Sequence, residues 1–216
     1  MYDEVAIVVP WRRSAPERSD NLCRVVDHFA RTLPGCPLYL SDDPGYAVFN
    51  RSASRNRGVR AAHAHGFATA VVCDADILIE PEALYAALAC CQQEHRLQLP
   101  YTRCLLCDSS GRTLYEYPDS VGGAWVIPCA AYLRVWGCDP HFLGWGYEDT
   151  AFWRVCDTLL GTRRHEGSVR HLWHPPCATQ QPGRPEMERA LRRGQRYADA
   201  HGDPEAIRCV RSTAEP

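Results

Sequence analysis

The sequence predicts an α/β domain whose central sheet is mostly parallel and flanked by helices. Two observations carry that expectation: apolar runs of strand length that stop at Pro or at carboxylates, and helical periodicity between them. Glu4 to Pro10 (Glu-Val-Ala-Ile-Val-Val-Pro) is the first such run, closed by Pro as an opening parallel strand often is. Leu22, Val25, Val26 and Phe29 then recur at helical spacing between Asp20 and Thr32, with Asp20 placed to cap the helix. Pro37 to Asp43 follows as a second strand, and strand, helix, strand begins a parallel sheet. Ligands gather at the carboxyl ends of strands in such sheets. Pro10, Trp11, Arg12 and Arg13 stand at that end of the first strand, offering a ring for base stacking and guanidinium groups for a phosphate or uracil.

Composition narrows the class. At 216 residues the chain holds one domain, or one domain and a tail. All 24 basic residues are Arg, whose forked guanidinium clamps phosphate well. A formal net charge of −2 argues against a protein that coats nucleic acid nonspecifically. No apolar run approaches the roughly 20 residues that span a bilayer, and Met1-Tyr2-Asp3-Glu4 is acidic where a signal peptide is basic, so the expected location is the cytoplasm. Twelve cysteines without a secretory signal read as reduced thiols, several packed in the core. Cys104-Leu105-Leu106-Cys107 lacks the second pair that a zinc knuckle needs.

The chemistry centres on Val71-Val72-Cys73-Asp74-Ala75-Asp76-Ile77-Leu78-Ile79, read as a buried strand from which two carboxylates emerge. Bare carboxylates in an apolar setting cost several kcal/mol unless a cation or hydrogen bonds answer them. Alternate residues of an extended chain point the same way, so Asp74 and Asp76 together are candidates for Mg²⁺ or Mn²⁺ carrying a substrate phosphate. Just upstream, Phe49 to Ala64 reads as a helix starting near Ser52 or Ser54, its first turn loaded with Asn50, Arg51, Arg55, Asn56 and Arg57. Cations at a helix N-terminus oppose its dipole, which calls for an anion nearby, and a nucleotide diphosphate fits.

Glu80-Pro81-Glu82 opens a further helix through Leu88, whereas residues 95 to 121 show no clear period. Gly122-Gly123 before the apolar run to Pro128 allows close approach of backbone to a ligand, or a bulge. Phe142-Leu143-Gly144-Trp145-Gly146-Tyr147-Glu148-Asp149 then runs a Gly-rich loop into an amphipathic helix. A carboxylate kept ionised at that helix start, beside a tryptophan, is a candidate general base. His171 and His174 close the next apolar piece, and imidazoles following an Asp-x-Asp favour a metal. Prolines at 175, 176, 182 and 185 bracket a loop suited to a lid, and Glu186 to Ala200 is a helix rich in Arg, facing solvent or an anionic acceptor. The remaining tail reads as flexible.

Val-Pro-Trp-Arg at 9 to 12, Phe-Asn-Arg with Asn56 five residues on, Asp-Ala-Asp, Gly122-Gly123 and Gly-Trp-Gly-Tyr-Glu-Asp at 144 to 149 occur in one order. That order resembles the β-1,4-galactosyltransferase catalytic domain over about residues 5 to 175, and the last motif is similar to polypeptide N-acetylgalactosaminyltransferases. The resemblance implies a GT-A fold, with residues 1–180 the catalytic domain and 181–216 a lid, an Arg-rich helix and a tail. It implies a UDP-sugar donor held through Mn²⁺ or Mg²⁺. Pro10, Trp11, Arg12, Asn50, Arg51, Asn56, Asp74, Gly123 and Trp145 would then serve the nucleotide sugar, with Arg12 and Arg51 on the nucleotide, Asp74 on ribose or metal, and Trp145 closing over the sugar. Asp76 would bind the metal, with His171 and His174 both ligating, or His171 alone while His174 touches a phosphate. Asp149 would deprotonate the acceptor and Glu148 would help hold it, with inversion favoured over retention. A glycan, a protein or a hydroxylated DNA base would suit as acceptor. The alternatives are a noncatalytic nucleotide- or carbohydrate-binding module on the same fold, and a metal-dependent nucleotidyltransferase, which leaves the Gly-Trp-Gly loop unexplained.

Overall fold

A computed structural model describes residues 2–143, 146–176 and 185–213. The chain opens with β1 (Val5–Pro10), α1 (Pro16–Thr32), β2 (Leu38–Ser41), α2 (Arg51–Ala64), β3 (Thr69–Cys73), β4 (Ile77–Ile79) and α3 (Pro81–Gln93). Three short strands follow, β5 (Leu97–Leu99), β6 (Arg103–Cys107) and β7 (Thr113–Pro118), where the sequence shows no clear period. Then come β8 (Ala124–Pro128), α4 (Cys129–Arg134), α5 (Glu148–Leu159), β9 (Thr162–Arg164), β10 (Ser168–His171), α6 (Pro185–Asp199) and α7 (Pro204–Ser212).

Six strands form the main sheet in the order β2-β1-β3-β8-β5-β9. Neighbours pair in parallel except on either side of β8, which runs against both β3 and β5, so the expected mostly parallel sheet is present with one reversed strand. Every residue of β1 is buried, and its side chains alternate between two cores. Ala6 and Val8 face Val59 and Ala62 of α2, whereas Val5, Ile7 and Val9 face Val25 and Phe29 of α1. That is the doubly covered parallel strand its unbroken apolar run anticipates.

The Val71–Ile79 run is not one strand. β3 ends at Cys73 in the main sheet, and β4 starts at Ile77 in a second sheet ordered β4-β10-β6-β7. Asp74-Ala75-Asp76 crosses between them, fixed by Asp74 N–H donating to the Gly123 carbonyl at 2.8 Å and Leu172 N–H donating to the Asp76 carbonyl at 2.8 Å. Helix boundaries differ as well. α1 begins at Pro16 without a side-chain cap, leaving Asp20 inside it, because Pro already fixes a helical φ at the first turn. α2 is capped by Asn50, whose side chain accepts from Ala53 N–H, ahead of the expected serines at 52 and 54.

The C-terminal segment is not loose, and its Arg-rich helix α6 is amphipathic: Arg189 and Arg192 are exposed on the solvent face the sequence suggests, whereas Arg193 turns inward. Ala190, Tyr197, Ile207 and Val210 from α6 and α7 join the core beneath α5, and Arg193 is buried against Asp139 at 2.5 Å. Tyr197 Oη and Arg211 reach the same carboxylate at 2.7 and 3.0 Å. A buried charge requires such partners, which is why a basic helix can point inward. The eleven described cysteines are free thiols, six of them buried, in line with packing rather than cross-linking. Among the described residues no helix is long and apolar enough to cross a membrane.

Candidate active site and metal centre

β4 and β10 pair antiparallel with His171 opposite Ile77, so the end of one strand lies beside the start of the other. This brings Asp76, just before β4, to His171 and His174. One ligand atom from each lies within 4.8 Å of the others, the one such group of His, Cys, Asp or Glu among the described residues. His174 Nε2 is 3.2 Å and His171 Nε2 3.8 Å from the Asp76 carboxylate. Burial pushes the Asp76 carboxyl up, but the His174 hydrogen bond and the charges of His171, His174 and Arg51 outweigh it and hold the group at about 2. The Asp76 hydrogen bond in turn raises His174. His174 Nδ1 lies 2.9 Å from Arg18 Nη2 and 3.0 Å from the Pro175 carbonyl, contacts that orient the ring with Nε2 toward Asp76. One carboxylate oxygen and two imidazoles fit a divalent cation and favour Mn²⁺ over Mg²⁺.

Asp74 does not join that group. It is answered by Arg55 at 2.6 Å and Arg51 at 3.6 Å, because α2 aims both guanidinium groups at the end of β3. Residues four apart on a helix share a face. Arg51 also binds Glu148 at 2.8 Å, and Arg55 binds Asp149 Oδ1 at 2.5 Å. The anion expected at this helix N-terminus is therefore supplied by the protein's own three carboxylates. Burial is the largest influence on Asp149 and pushes its carboxyl up to about 6 against the pull of Arg55; Glu148 and Asp74 add to the rise, and Arg51 opposes it.

Two cavities meet at this network. One of about 600 Å³ is lined by Pro10, Trp11, Phe49, Arg51, Asp74, Asp76, Gly123, His171 and His174. The other, about 800 Å³, is lined by Asp119, Tyr147, Glu148, Trp153, Arg164 and Met187. Arg51, Ser120, Gly122 and Asp149 line both. Tyr147, the residue before α5, holds φ +68 in the left-handed region, so the carboxylates at 148 and 149 start from a strained turn.

Several assigned residues do other work. Arg12 borders the first cavity, but its five N–H groups go to Asp42, at 2.8 and 2.9 Å, and to the carbonyls of Asp43, Tyr46 and Ala47. These bonds brace the loop after β2 at the edge of the cavity. Asn50 caps α2 and donates to the Pro140 carbonyl, and Asn56 is buried against Cys138 and Tyr132; neither lines these two cavities. Glu148 is spent on Arg51 and on Gly146 N–H. Trp145 and the lid between 177 and 184 lie outside the described residues. Arg18, 2.9 Å from His174 Nδ1 and 3.9 Å from Asp76, was not anticipated, because nothing in an amphipathic helix marks one Arg over another. Arg55 was legible only as part of a basic turn.

The fold is similar to the GT-A fold of glycosyltransferases: a mixed α/β sheet, with the Asp74 and Asp76 crossing after β3, the histidines at the end of β10 and the start of α5 gathered together. In particular the chain resembles the β-1,4-galactosyltransferases. A family model described as the N-terminal domain of galactosyltransferase matches residues 106–175. The catalytic domain of Drosophila β1,4-galactosyltransferase 7, crystallised with xylobiose, superposes with a TM-score of 0.65 at 20% identity over 87% of this chain and 79% of that one. A mutant of that enzyme with manganese, UDP-Gal and xylobiose gives 0.57 at 19% identity, over 82% and 76%. GalNAc-T7 with UDP, GalNAc and Mn²⁺ gives 0.63 at 11% identity, covering 96% of this chain and 54% of that one. No curated protein sequence matches the chain.

Proposed function

We propose that this protein is a metal-dependent glycosyltransferase that moves a sugar from a UDP-sugar to an acceptor hydroxyl with inversion, Asp149 acting as general base. One observation carries the reading: Asp149 lies in the wall shared by a cavity containing the Asp76, His171 and His174 group and a cavity without it. A donor in the first and an acceptor in the second would meet at that carboxylate. The manganese, UDP-Gal and xylobiose bound by the Drosophila relative support Mn²⁺, a UDP-sugar and a glycan acceptor here.

In this reading Asp76, His171 and His174 hold the cation, which when bound neutralises charge developing on the departing diphosphate. Trp11 and Phe49 flank the nucleotide end of the donor cleft, and Arg18 adds positive charge beside the diphosphate. Asp74, braced by Arg51 and Arg55, presents a fixed carboxylate to the ribose. Asp149 takes the proton of the acceptor hydroxyl as that oxygen bonds to the anomeric carbon. The carbon–oxygen bond to UDP breaks and its electron pair leaves with the diphosphate. Attack from the second cavity comes from the face opposite the leaving group, hence inversion.

The test is a panel of UDP-sugars with and without Mn²⁺, read by thermal stabilisation and UDP release, then NMR of the product's anomeric configuration. Manganese-dependent stabilisation by at least one UDP-sugar and an inverted product are expected. No stabilisation by any of them overturns the donor assignment, and a retained configuration overturns the base.

A further inference from the structure

Arg55 stands apart from every other cation in the site. Its side chain is 1% exposed, lies 4.5 Å over the ring of Trp125, and touches Asp74 Oδ1 at 2.6 Å and Asp149 Oδ1 at 2.5 Å. It lines neither cavity, so it meets neither donor nor acceptor directly. Its Nε is buried without a hydrogen-bond partner among the described residues. The guanidinium therefore faces the two carboxylates, with Trp125 beneath it.

The two oxygens of Asp149 are consequently unequal. Oδ1 is held by Arg55, whereas no hydrogen bond reaches Oδ2 among the described residues. Oδ2 occupies the space where a side chain at 122 would be, since a Cβ built on Gly122 would meet it at 2.5 Å. Gly122 lines both cavities. Oδ2 is thus the oxygen turned toward the shared wall.

We propose that Arg55 is a positioning residue: it locks Asp149 Oδ1 to the donor-side carboxylate Asp74, orienting Oδ2 as the single proton-accepting atom. The inference rests on the glycosyltransferase reading and names the device that aims its base. A buried, planar, permanently charged fork spanning two acids holds them at a fixed separation, which a point charge on a flexible stem does not. Asp149 also faces Arg51 on α2, Glu148 on its own helix, Tyr101 after β5 and Cys138 after α4. Of the described cations, Arg55 makes its direct contact.

The experiment compares Arg55→Lys and Arg55→Met with the unaltered protein. One readout is Mn²⁺-dependent UDP release from UDP-galactose, with water as acceptor, across pH 5 to 9. The other is the Asp149 carboxyl titration by ¹³C NMR, which needs no turnover. Arg55→Lys is expected to lower kcat at least tenfold with KM for UDP-galactose within twofold, and to raise the Asp149 midpoint. Arg55→Met, where it folds, should raise the midpoint further. A folded Arg55→Lys with unchanged kcat and midpoint overturns the proposal, as does a loss confined to KM. If the unaltered protein releases no UDP, UDP-galactose with water fails as the substrate pair, a result separate from the Arg55 proposal, which the NMR midpoint still decides.

Discussion

His174 Nε2 lies 3.2 Å from Asp76 Oδ2, although one residue precedes β4 and the other follows β10. Antiparallel pairing of those two strands makes the contact, so the candidate metal group is a consequence of sheet register. Asp76→Asn removes the charged ligand without changing its size. Mn²⁺ affinity, followed by calorimetry or a thermal shift, should fall at least about tenfold, and His174→Ala should do the same. Unaltered Mn²⁺ affinity in both variants would remove the metal centre from this site.

A base whose pKa is pushed up to about 6 has a pH signature. Below that value Asp149 is protonated and cannot accept the acceptor proton; above it the carboxylate is ready. The rate at saturating Mn²⁺ should therefore rise about tenfold per unit toward pH 6 and level off above it, whereas an ordinary Asp would give a flat profile down to about pH 4. Mn²⁺ affinity is measured at each pH, so that loss of the cation is separated from protonation of the base. Asp149→Asn should cut turnover by about 10² to 10⁴ while the UDP-sugar still stabilises the protein.

Gly122→Ala tests the same carboxylate from the opposite side. The new Cβ would press on Asp149 Oδ2 at 2.5 Å and on its Cγ at 3.1 Å. The side chain must rotate away, which breaks its bond to Arg55. Turnover should fall by one to two orders of magnitude, since a displacement of about 1 Å at a reacting centre can cost that much. Circular dichroism and Mn²⁺ affinity should be unchanged, because the three atoms nearest the new Cβ all belong to Asp149 rather than to Asp76, His171 or His174.

What the sequence made legible follows from how each signal arises. β1 and the Gly-rich entry to α5 were plain because apolar runs and loop glycines are local. The Asp76 and histidine group was foreseeable from residue chemistry alone, as two imidazoles after an Asp-x-Asp. The Asp74 pairing was not, because the same carboxylate suits a cation of either kind, and only the packing of α2 on β1 decides that Arg55 arrives first. The Arg12 pairing was hidden for the same reason: Asp42 follows β2, and parallel pairing of β1 with β2 puts it within reach. The second cavity draws on α2, the loop between β7 and β8, α5, β9 and α6, too scattered for any motif.

Arg12→Met separates a brace from a ligand contact. Losing hydrogen bonds to Asp42 and three carbonyls at a partly exposed site should cost about 1–2 kcal/mol, lowering the melting temperature by several degrees. UDP affinity in the presence of Mn²⁺ should stay within about twofold. A large loss of UDP affinity at unchanged stability would return Arg12 to the nucleotide.

The final prediction concerns Gly58, which lets α2 lie close on β1 and so sets the reach of Arg51 and Arg55. An Ala Cβ there would sit 2.3 Å from Val8 Cγ1 and 2.7 Å from Ser41 Oγ. Neither neighbour yields easily: Val8 is in the centre of the buried strand, and Ser41 Oγ donates to the Ser54 carbonyl at 2.8 Å. Ala gains about 1 kcal/mol over Gly in helix propensity, but overpacking a core contact costs about 1–3 kcal/mol, and a contact this short belongs at the upper end. Gly58→Ala should therefore lower the urea midpoint by the equivalent of about 1–2 kcal/mol without changing the slope. Because α2 must lift to relieve the clash, the Arg55 fork moves with it, and turnover should fall more than the stability loss alone explains.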